Sequence, residues 1–227
     1  MSIHAPPREQ WLRLSFVSWE KYEQMAAWFE GRHFRLTYDR GELEIMTVSH
    51  PHEFGKHLIG RLVDALTEEL DIDIHGGGSM TFKREDLDRG LEPDECYWIE
   101  HEPQMRDVEE YGAEKDPPPD LVLEVEVSRS AMDRMGIYAA MKVPEVWRWD
   151  GEKLSFWLLK RGKYVAASVS RSFPLLSADE IAHFVRMRGT MSETRLLRTF
   201  RTWVREQQTL GWPTAPSKAR PTPRAKS

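Results

Sequence analysis

Cysteine is almost missing from this chain: Cys96 is the only one in 227 residues. That excludes an intrachain disulfide and a cysteine-ligated zinc site, and it fits a reducing compartment. No apolar run is long enough to span a membrane, and the opening MSIHAPPREQWLRLSF has no apolar signal-type segment. A cytoplasmic location with no membrane association is therefore expected. There is no GxGxxG to cradle a phosphate and no repeat of solenoid type. A net charge of -5 argues against a simple polyanion-binding module.

What is present supports a real core: 40% hydrophobic residues, 11% aromatics and nine Trp. The charge is unevenly spread. Residues 85–126 are densely acidic, whereas Arg186, Arg188, Arg195, Arg198, Arg201 and Arg205 stand against only Glu193. Such asymmetry suits either an acidic metal centre with basic margins or two solvated faces of opposite sign. The length suits one large domain, 1–211, with its core at about 51–150. A basic, Pro-rich tail over 212–227 is expected to be disordered.

Periodicity predicts a helix over 18–30 capped by Ser18, then a hairpin over 34–46 turning at Asp39-Arg40-Gly41. A second helix, 51–69, starts at Ser49-Pro51 and carries Phe54, Leu58, Ile59, Leu62, Val63 and Leu66 on one face. Strands are expected at 79–83, 94–100, 119–128 and 145–150, with a loop over 101–118 and a helix over 131–142. A second hairpin, 154–170, turns at Arg161-Gly162. Ser177…Glu180 and Thr190…Glu193 both match the capping box that starts a helix.

The segment that carries most chemistry is PDLVLEVEVS, 119–128. Val122, Val125 and Val127 argue for a buried strand, and Glu124 and Glu126, two apart, leave it on one face. Buried acids are usually paired or bound to metal, so a divalent cation is the expected reason for them. Glu53, Asp94 and Glu124 fall where three successive elements begin or pass their centres. Mg²⁺ or Mn²⁺ on Asp94 and Glu124 would suit phosphodiester chemistry, with Glu53 orienting a water.

The His52-Glu53 helix start, LEPDECYWI (91–99), PDLVLEVEVS and IYAAMKVPEVWRWDGEKL (137–154) together resemble the PD-(D/E)xK nuclease superfamily. They are closest to its restriction-endonuclease branch called Uma-two. The resemblance covers residue 12 to about 205. It implies an α/β (α+β) fold: a restriction-endonuclease-like core with a mixed central sheet flanked by helices, an N-terminal helix and hairpin, and a C-terminal helical extension. It also implies a Mg²⁺-dependent endodeoxyribonuclease acting on DNA, and cutting two strands suggests a homodimer. Two positions depart from the pattern. Glu126 stands where the superfamily has a lysine. Arg134, four residues before Tyr138, stands where the branch supplies its cation. Arginine can brace a phosphate but does not deprotonate to act as a base. The alternative is thus a catalytically degenerate nuclease fold that binds DNA or a protein.

Simpler readings stand beside these. Glu53 and Asp133 suit helix first turns, and Asp120 suits a polar strand start. His50, His52 and His57 read as solvated rather than as a metal set, and Cys96 as a buried structural thiol. The arginines of 195–205 either track a DNA backbone or form a solvated face.

Overall fold

A computed structural model describes residues 9–126, 132–174 and 176–211. The tail over 212–227, the end of the 119–128 segment and the first residue of the expected 131–142 helix lie outside the described residues.

The chain opens with a strand that periodicity does not announce, β1 (Trp11–Leu14), followed by α1 (Trp19–Phe29), whose Ser18 hydroxyl accepts from Lys21 N–H. The expected hairpin forms as β2 (Phe34–Asp39) and β3 (Glu42–Thr47). Arg40 and Gly41 take the two left-handed conformations (φ 48° and 89°) that a tight hairpin turn demands. Helix α2 (His50–Leu70) is capped by Ser49, with Pro51 in its first turn. A short unexpected strand, β4 (His75–Gly76), comes next; the expected 79–83 strand forms only at its end, as β5 (Phe82–Arg84), and is followed by β6 (Arg89–Leu91). Next come β7 (Glu95–Trp98), a one-turn helix α3 (Glu102–Met105) inside the expected loop, and β8 (Leu121–Val125). Helix α4 (Arg134–Ala140) is shorter than 131–142 because Asp133 caps it through Gly136 N–H. It is followed by β9 (Glu145–Trp149), β10 (Leu154–Lys160), β11 (Lys163–Ala167), α5 (Ala178–Arg186) and α6 (Glu193–Thr209).

The strands form two sheets. One is antiparallel, in the order β1-β3-β2-β6-β5; the other runs β11-β10-β9-β8-β7-β4 and is mixed. Its parallel pair is β8 and β9, joined through α4 as a βαβ unit. Both faces of the mixed sheet are covered. Leu121, Leu123 and Val125 turn toward α2, α5 and α6 in the largest core, with Leu62, Leu66 and Phe200. Val122 turns the other way, into a second core with Ile137, Tyr138, Val146, Phe82 and Leu91. Glu124 shares the face of Val122 by strand alternation. Gly55 permits the close approach of α2 to this sheet: a Cβ there would lie 3.2 Å from the Trp149 ring and 3.3 Å from Val125 Cγ1.

The antiparallel sheet packs its outer face on α1 through Tyr22, Leu36, Tyr38, Leu43 and Ile45. The alternate residues Arg35, Thr37, Glu44 and Met46 line a cleft shared with Asp94 and Glu124.

Candidate active site

Glu124, on the central strand β8, is 4% exposed. Its Oε1 accepts from the Arg134 guanidinium at 2.6 Å and from the Tyr138 hydroxyl. Arg134 begins α4 and Tyr138 lies one turn on, so one helix face delivers both donors. Arg134 also donates to Thr37 Oγ1 at 2.5 Å and to the Glu92 carbonyl at 2.7 Å. Burial pushes the Glu124 carboxyl up; Arg134 pulls it back, Asp94 adds to the rise, and the net direction is upward.

Asp94 sits just before β7, at 2% exposed. Its Oδ2 accepts from Val125 N–H at 2.7 Å, satisfying a β8 amide where the β7 pairing stops, and its Oδ1 accepts from His52 Nε2–H at 2.7 Å. The other ring nitrogen, Nδ1, lies 3.1 Å from Glu9 Oε1, which also accepts from the Ser49 hydroxyl. Burial disfavours charge on His52, but the bonds to Asp94 and Glu9 outweigh it and raise its pKa to about 9. As an imidazolium it donates from both nitrogens. Burial would raise Asp94, but His52 and the Val125 amide hold it below the usual carboxylate range.

The cleft is completed by Trp11, Arg35, Glu44, Met46 and Glu126. Glu126 is paired with Arg148 of β9. Arg35 stands 3.6 Å from Asp94 Oδ1 and 3.7 Å from Glu53 Oε1. Of the five side chains anticipated for the site, Asp94, Glu124, Glu126 and Arg134 come together around this cleft. Glu53 does not line it; its side chain is 47% exposed and reaches the site only through Arg35.

The donor chemistry suits a hard cation. An ionised carboxylate offers about four acceptor positions, and the bonds described occupy two on Asp94 and two on Glu124. Among the described residues no group of three or more His, Cys, Asp or Glu side chains could hold a metal ion. Mg²⁺ makes no such demand, since it commonly takes one or two carboxylates and keeps its waters.

Several contributors escape a reading of the sequence. His52, expected in solvent, is 2% exposed and bridges two carboxylates. His50 is exposed, and His57 pairs with Glu193 on α6. Thr37 and Glu44, each 3% exposed, belong to a hairpin face that alternation alone assigns to water. Asp120 does not join the cleft: it accepts from Ile99 N–H, His101 N–H and His101 Nδ1–H and so fixes the turn after β7. Cys96 is fully buried, and burial drives its thiol pKa up, as befits a structural thiol.

A mixed sheet with an acid heading one central strand, a second acid on its neighbour and a cation from the next helix defines a restriction-endonuclease-like fold. The chain belongs to the Uma2 family, described as "putative restriction endonuclease", whose sequence profile matches residues 19–186. No curated protein matches the chain. Among the described residues no helix is long and apolar enough to cross a membrane.

Proposed function

We propose that the protein is a Mg²⁺- or Mn²⁺-dependent endodeoxyribonuclease. The observation that carries this is the convergence of Asp94 and Glu124, both nearly buried, on one cleft in a chain of a nuclease family. These two carboxylates would hold the cation. A divalent ion held there would supply Lewis-acid polarisation of the phosphodiester and a more acidic attacking water. His52 keeps Asp94 ionised and oriented, as Arg134 and Tyr138 do for Glu124. Arg134, permanently charged, stabilises negative charge gathering on the phosphate oxygens and takes no proton from water. Glu126, which lines the cleft and is paired with Arg148, is the carboxylate we assign to orient the water. Scission of both strands needs two centres, which an isologous homodimer supplies.

Supercoiled plasmid tests the reading. Native protein should nick it with Mg²⁺ or Mn²⁺ and not in EDTA, and Glu124→Ala should abolish nicking. Failure of the native protein at high concentration with either ion would overturn the reading.

One observation favours the second reading, a nuclease fold that binds without cutting. Arg134 is tied to Thr37, Glu92, Glu124 and Tyr138 at once, so a cation that could titrate is replaced by a structural clamp. Retained, salt-sensitive DNA binding with no nicking would select it.

A further inference from the structure

Among the described residues, Arg35 is the cleft cation that makes no side-chain hydrogen bond. Strand alternation aims it, with Thr37, from β2 toward Asp94. Its side chain is 12% exposed, and its Nε is buried with no hydrogen-bond partner among the described residues. The oxygens of Asp94 and Glu53, at 3.6 Å and 3.7 Å, attract it by charge but lie beyond hydrogen-bond reach. Arg134 provides the contrast. It is equally withdrawn from water, at 12% exposed, and its Nε is likewise without a partner among the described residues; the difference lies in its two terminal nitrogens, which donate to four groups. Leaving buried donors unmade is costly, and a guanidinium's planar fork matches two oxygens of a phosphate.

We propose that Arg35 grips the scissile phosphate of DNA, so that the antiparallel sheet supplies the anion-binding half of a centre whose carboxylates come from the mixed sheet. This rests on the nuclease reading, but it is tested by binding alone. Anisotropy of a fluorescently labelled DNA duplex, titrated in EDTA across a range of salt, reads affinity and salt slope without hydrolysis. Arg35→Gln should weaken binding by about tenfold and lower the salt slope by about one phosphate contact. Arg35→Lys keeps a positive charge beside Asp94 and guards against loss of fold. It should keep the slope yet bind several-fold more weakly, because the bidentate fork is gone. Lys163→Gln, the same charge change on the far-edge strand β11, should leave binding unchanged.

The proposal falls if native protein does not bind, if Arg35→Lys and any folded Arg35→Gln bind as native does, or if Lys163→Gln loses as much as Arg35→Gln. Weakened binding by Arg35→Gln in a chain that never nicks plasmid would keep the phosphate grip and remove the nuclease reading. Plasmid nicking by Arg35 variants that bind as native does would do the reverse.

Discussion

Glu124 and Arg134 are each worth little alone and costly to separate. Both are withdrawn from water, and removing one leaves the other charged and unpaired in a low-dielectric setting. Arg134→Met should therefore lose roughly 3–5 kcal/mol in urea unfolding. Arg134→Lys keeps the charge but not the fork. It should cost roughly 1–2 kcal/mol through lost bonds to Thr37 and Glu92. His52 supplies a pH signature. Its folded pKa of about 9 lies above the ordinary 6.5. The protonated form is thus favoured by folding: its stability is fully present below about 6.5 and is lost as pH rises through about 9. Asp94 has the opposite sign. Its folded value lies below the ordinary 3.8, so its contribution is present above that and is lost as pH falls through the lower value. Melting temperatures in EDTA should decline from pH 6.5 to above 9, and His52→Gln should flatten that decline. Glu124 was legible in the sequence because it interrupts an apolar strand. His52 was not, because a histidine in a first helical turn looks the same whether its partner is water or a carboxylate 42 residues away.

Element starts show where local rules hold and where neighbours decide. Ser177 forms its capping box with Glu180 as the spacing predicts. The matching Thr190…Glu193 pattern does not form one. Ser192, two residues on, caps α6 instead, which makes Glu193 the first helical residue and frees it for Arg61 and His57 of α2. Thr190 instead donates its hydroxyl to Met187 O at the end of α5. Two hydroxyls two positions apart compete for one helix start, and sequence alone does not rank them. The arginine stripe of α6 divides in the same way. Arg201 and Arg205 are held by Glu68 and Glu69 of α2, whereas Arg195 and Arg198 are exposed and have no ion pair among the described residues. If this helix tracks DNA, Arg195→Ala with Arg198→Ala should lower duplex affinity and salt slope. Arg201→Ala with Arg205→Ala should chiefly loosen α6 from α2, seen as a lower urea midpoint with a nearly native salt slope.

At the scale of the molecule, the site is made by two sheets meeting. The strand–helix–strand run of the βαβ unit was legible, because its apolar strands and the helix between them are local signals; the mixed sheet around it followed from the family resemblance. The hairpin over 34–46 was legible as a hairpin, but its role was not. Arg35, Thr37 and Glu44 alternate with Leu36, Tyr38 and Ile45 as any solvent-facing row would. Only the long-range packing of that row over Glu124 turns a polar surface into a cleft wall. β1 escaped notice because four residues with an exposed middle carry too little periodicity. Asp94 and Glu124 as one metal centre, enclosed between those sheets, is the claim on which the rest depends. Diffraction from crystals soaked in Mn²⁺ tests it most directly. The account predicts one anomalous peak in the cleft, bonded to oxygens of both Asp94 and Glu124 with waters completing the shell. No peak there, or a peak bonded to neither carboxylate, would contradict it.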